Sequence, residues 1–119
     1  MTPYAGAWLR AFALTVIIEL LVATPLLAAG GATWRRRAAI VLLVNLASHP
    51  IVWFVFPELA LPGTARLGLA EAWALGLEAT AYALVWPELG KRRAFGVSAL
   101  ANGASLALGL VLRAAGAPV

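Results

Sequence analysis

Apolar residues run through this chain in four long blocks, separated by short stretches of glycine, proline and charge. A helix that crosses the hydrocarbon of a bilayer needs roughly 20 mainly apolar residues. Blocks of that length lie at about 8–29, 35–56, 67–87 and 94–113, and each predicts a membrane-spanning helix. The interruptions fit such ends. Gly30-Gly31 closes the first block, Phe56-Pro57-Glu58 the second and Trp86-Pro87-Glu88 the third. An aromatic ring at headgroup level, a proline without an N–H and a solvated carboxylate together make a membrane exit. Trp8, Trp34, Trp53, Trp73 and Trp86 all fall near a block end, as interfacial belts require.

Composition agrees with this pattern. Of 119 residues, 63% are hydrophobic and 12% charged, with a mean hydropathy of +0.91. Soluble domains average about 45–50% apolar and about 25% charged residues. The fold expected is all-α: a polytopic integral membrane protein, one four-transmembrane-helix bundle over residues 1–119, built from two antiparallel helical hairpins. Glu19 interrupts the first block and no basic segment precedes it, so this block reads as a retained helix rather than a cleaved leader.

Cysteine is absent, which excludes disulfides, thiolate metal sites and iron–sulfur clusters. The net charge of +4 does not mark a nucleic-acid surface, because six of the nine basic residues form two triplets, Arg35-Arg36-Arg37 and Lys91-Arg92-Arg93. Both triplets occupy connections on one side of the bundle, opposite Arg10, Arg66 and Arg113. The positive-inside rule then places the triplets in the cytoplasm and both termini outside, in a plasma (inner) membrane.

The triplets also begin a weak internal repeat. Arg35-Arg36-Arg37-Ala38 leads to Asn45-Leu46-Ala47-Ser48, and Lys91-Arg92-Arg93-Ala94 leads to Asn102-Gly103-Ala104-Ser105. Each follows a block with a central glutamate, Glu19 or Glu78. Two hairpins crossing in the same sense would form a parallel repeat.

No phosphate loop, nucleophile elbow, metal-histidine pair or dinucleotide fingerprint is present. The chemistry lies in polar residues within the blocks. Ionisable groups in hydrocarbon are expensive and normally face the bundle interior with a partner. At ~1.5 Å rise per residue, Glu19, Asn45, His49, Glu78 and Asn102 fall at a similar depth, one or two on each helix. Asn45 and His49 share a face, with Pro50 freeing the carbonyl of Leu46 beside them. Glu71, Glu78 and Tyr82 form one stripe, and Ser98, Asn102, Ser105 and Gly109 form a small-residue face suited to packing. Glu71, near the outer end, is expected to be solvated and paired with Arg66, or else to mark an entrance to the polar stripe.

The candidate proton or cation site is therefore Glu19, Asn45, His49, Glu71, Glu78, Tyr82, Asn102 and Ser105, with Glu19, His49 and Glu78 as a thin metal set. The order Asn45-x-x-x-His49-Pro50-x-x-Trp53 and Glu78-x-x-x-Tyr82 resembles that of small bacterial multi-pass proteins, a likeness that implies no activity. The reading that follows is a proton- or cation-handling membrane protein, acting as a homo-oligomer or as a subunit of a larger membrane complex, rather than an enzyme. One alternative is a structural accessory subunit, with His49 as a pigment or haem ligand. Another is an intramembrane hydrolase. No cofactor is specified by the residues, and the partners expected are lipid and other membrane subunits, not nucleic acid.

Overall fold

A computed structural model describes residues 2–117 and shows, among these, four long helices and no strand. They are α1 (Pro3–Leu26), α2 (Trp34–Phe54), α3 (Gly63–Val85) and α4 (Lys91–Ala114). Short 3₁₀ turns follow the first three, at Leu27–Gly30, Phe56–Glu58 and Pro87–Leu89. Three of the helices start earlier than the apolar blocks, at residues 3, 63 and 91 rather than near 8, 67 and 94. The reason is local. Thr2 Oγ1 accepts from the N–H of Ala5 at 3.2 Å, and Pro3 occupies the first turn, where its missing N–H is harmless. Thr33 caps α2 in the same way, its Oγ1 accepting from Arg36 N–H at 3.3 Å. Polar first turns are invisible to hydropathy but form helix nonetheless.

The stops are built from proline and glycine. Pro57 and Pro87 follow the ends of α2 and α3 and open the 3₁₀ turns there. On the basic side the chain reverses through Gly31 and Gly90, whose φ angles of 71° and 78° are left-handed and disfavour a side chain. Pro25 and Pro50 remain inside α1 and α2, and α2 continues to Phe54.

The helices pack in chain order around a ring, α1 on α2, α2 on α3, α3 on α4, and α4 back on α1. Neighbours are antiparallel: Tyr4 at the start of α1 touches Trp53 and Phe54 at the end of α2, while Ser98 early in α4 meets Leu75 and Glu78 late in α3. The turns after α1 and α3 pack on each other at the basic end. There, Gly30 lies so close to the Trp86 indole that a Cβ would sit 2.8 Å from its Cγ and Cδ1. Leu27, Val41, Tyr82, Trp86 and Leu89 complete a packed apolar core.

Burial is inverted relative to a water-soluble bundle. Glu19, Thr24, Asn45, Ser48, Glu78, Ser98 and Asn102 are buried, whereas Leu21, Leu84 and Leu100 are 72%, 74% and 60% exposed. In water, that much outward leucine would be unfavourable; in lipid it is neutral or better. Among the described residues, three helical stretches are long and apolar enough to cross a membrane: Pro3–Gly30, Trp34–Glu58 and Lys91–Ala114. α3 has comparable length, 23 residues, but carries Glu71 and Glu78 in its interior.

Candidate functional site

Each half of the chain builds the same hydrogen-bonded unit. In the first, Asn45 Nδ2 on α2 donates to Glu19 Oε2 on α1 at 2.5 Å and to the carbonyl of Val41, one turn back, at 3.0 Å. In the second, Asn102 Nδ2 on α4 donates to Glu78 Oε2 on α3 at 2.6 Å and to the carbonyl of Ser98 at 3.0 Å. Ser48 and Ser105, each three residues beyond its asparagine, donate back to the Asn45 and Asn102 carbonyls. The asparagine is therefore clamped to its own helix, which holds its carboxamide toward the glutamate.

The units differ in two places. Ser98 Oγ also donates toward Glu78 Oε2, at 3.0 Å, and lies 3.2 Å from the Leu75 carbonyl. The corresponding position before Asn45 is Val41, so Glu19 has no such donor. Conversely, His49 follows Asn45, where Leu106 follows Asn102. Ser98 lies on the small-residue face of α4, yet its hydroxyl belongs to the site, a role that spacing alone does not reveal.

Glu19 and Glu78 are 0% and 1% exposed, and both line one cavity of ≈270 Å³. Asn45, Ser48, His49, Glu71, Asn102 and Ser105 line it too. In each glutamate, Oε2 is held and Oε1 is buried with no hydrogen-bond partner among the described residues. Glu19, Glu71 and Glu78 thus share one cavity lining. The cavity extends to the end of the bundle that bears the termini, where Leu67, Leu110 and Arg113 form its rim.

His49 is half-buried, its ring edge-on to Phe12 at 5.3 Å and stacked with Trp53 at 6.1 Å. Its Nδ1 is buried without a partner among the described residues.

Comparisons with protein-family models, curated proteins and solved structures find no match to this chain. The site is therefore read from its own chemistry.

Several expectations are corrected by the structure. Tyr82 shares the α3 stripe but does not line the cavity; it is fully buried in the core at the basic end, and its hydroxyl has no partner among the described residues. The eleven residues from Glu71 to Tyr82 carry the stripe past the floor of the cavity. Of the two expectations for Glu71, the pairing with Arg66 is not formed, since Arg66 donates to the carbonyl of Pro57 at 3.4 Å, and Glu71 instead lies half-buried on the cavity wall, in line with an entrance to the polar stripe. Among the described residues, no three of histidine, aspartate and glutamate converge closely enough to hold a metal ion, so Glu19, His49 and Glu78 do not form a metal centre.

Proposed function

We propose that this chain is a multi-pass membrane protein of four spanning helices that binds and passes a proton or small cation at a polar site near the middle of the bilayer. The observation that carries the reading is the pair of buried glutamates in one cavity, each restrained through Oε2 and each with Oε1 unpartnered among the described residues. Two buried carboxyls lining one cavity require protons or a positive charge between them. His49 on the same wall, its Nδ1 unpartnered among the described residues, is a suitable relay.

The inverted burial supports membrane insertion, and α3 joins as the fourth span because Glu71 and Glu78 face the cavity while Leu84 faces out. The basic triplets at one end favour a cytoplasmic position for that end, with the termini outside. The matching Glu–Asn–Ser units support a duplicated hairpin related by a pseudo-two-fold axis along the membrane normal. A bundle of this size acts as a homo-oligomer or as a subunit of a larger membrane complex.

A second reading, in which the units only lock helices together, is favoured by the several donors gathered on Glu78. Proteoliposomes separate the two. With an imposed pH or cation gradient, wild-type vesicles should show flux above empty vesicles, and Glu19→Gln and Glu78→Gln should abolish it without loss of fold. Wild-type flux at the level of empty vesicles, or unaffected by both substitutions, rejects the transport reading.

A further inference from the structure

We propose that the ligand of the cavity is a primary ammonium carrying a short apolar body, with its nitrogen held between Glu19 and Glu78. The inference rests on the cation-handling reading above and narrows it to a chemical class.

The first argument is the arrangement of acceptors. Asn45 and Asn102 each occupy Oε2 of their glutamate, so each carboxyl has one oxygen, Oε1, that is uncommitted among the described residues. These two oxygens belong to different helices, α1 and α3, and both residues are almost wholly buried. A guanidinium is matched best by both oxygens of one carboxylate. An ammonium has three N–H donors on a compact, freely rotating head, suited to single acceptors on separate residues.

The second argument is size. A water molecule takes about 30 Å³ of liquid volume, whereas the cavity measures ≈270 Å³. No group of three histidine, aspartate or glutamate side chains that could hold a metal ion is formed among the described residues, so no third ligand completes the pair around a bare metal ion. Such a space fits a charged head with a body attached better than a bare ion.

The third argument is the wall. Beyond the acids it is largely apolar, with Leu14, Val52 and Leu106, and Trp53 offers a ring suited to an apolar or cationic guest. Three carboxyl residues, Glu19, Glu71 and Glu78, face one guanidinium, Arg113 at the rim. The lining therefore favours a cation over an anion, with half-buried Glu71 lying on the wall toward the rim.

The test is calorimetric titration of the full chain in detergent with benzylammonium chloride. Saturable binding is expected, weakened by about tenfold or more in Glu19→Gln and Glu78→Gln. Benzyltrimethylammonium, which has no N–H, and neutral benzyl alcohol should each bind about tenfold more weakly or worse. Sodium should not compete. Trp53→Leu, which leaves both glutamates intact, should weaken binding to a lesser degree and guards against variants that fail to fold. Equal binding of benzyl alcohol or benzyltrimethylammonium, displacement by sodium, or no benzylammonium binding overturns the proposal. If benzylammonium does not bind but glutamate-dependent proton flux persists in vesicles, the ligand class fails and the proton reading stands. If neither is seen, both fail.

Discussion

Asn102 holds Glu78 by one oxygen only: its Nδ2 lies 2.6 Å from Oε2, while Oε1 remains buried without a partner among the described residues. The same asparagine is tied to its own helix through the Ser98 carbonyl, so its carboxamide has little freedom to follow the glutamate elsewhere. A residue that only fastened helices would be expected to use both of its oxygens. The half-held carboxyl is better suited to exchanging a partner.

Stability and function should therefore separate at this pair. Glu78→Gln preserves an oxygen to accept from Asn102, so the fold should change little while proton or cation flux is lost. Asn102→Ala removes the donor and should destabilise the bundle by about 0.6 kcal/mol and at most about 1.7 kcal/mol, the average and the maximum for hydrogen bonds between membrane helices. Unfolding in mixed detergent micelles, followed by tryptophan fluorescence, measures both. A Glu78→Gln protein as destabilised as Asn102→Ala would mean the carboxyl is structural.

A second prediction concerns the packed end. A Cβ at Gly30 would stand 2.8 Å from Trp86 Cγ and Cδ1 and 3.1 Å from its Cβ. Both backbones belong to tight turns, so the crowding cannot be relieved by a side-chain rotation alone. Gly30→Ala should lower stability by ~1–3 kcal/mol, as overpacking does. In a Trp86→Ala background the same substitution should be markedly milder, a coupling that a double-mutant cycle detects. Additive effects would show that the two residues do not press on each other.

Tyr4 gives a third. Its hydroxyl donates to the carbonyl of Trp53 at 2.5 Å. The residue four places after Trp53 is Pro57, which has no N–H, so that carbonyl lacks its ordinary helical donor. Tyr4→Phe keeps the ring contacts with Trp53 and Phe54 and removes only the donor. It should destabilise by about 0.5–1.5 kcal/mol. An unchanged unfolding midpoint would mean that solvent or headgroups replace the hydroxyl.

Topology provides the fourth. The chain has no cysteine, so an introduced one is the only thiol. Ala60 and Glu88 are exposed, in the connections after α2 and after α3 respectively. In intact cells an impermeant maleimide should label Ala60→Cys and spare Glu88→Cys until the membrane is opened. The reverse pattern would invert the orientation.

Four apolar blocks, their proline and glycine stops and the two basic triplets could all be read along the chain, because hydropathy and turn chemistry are properties of neighbouring residues. The placement of Glu19, Asn45, Glu78 and Asn102 at a common depth was legible for the same reason, since helical rise is constant. The helix starts at Pro3 and Lys91 were less so, as a polar first turn carries no apolar signal. The rotation of each helix about its axis is set by packing, and only the tertiary structure decided it. Rotation is what aims Asn45 at Glu19 and Asn102 at Glu78, brings Ser98 onto Glu78, turns Glu71 to the cavity wall and seats Tyr82 in the core beneath it. A stripe along one helix names the residues that share a face; the neighbouring helices determine which of them meet a partner, a cavity or a packed floor.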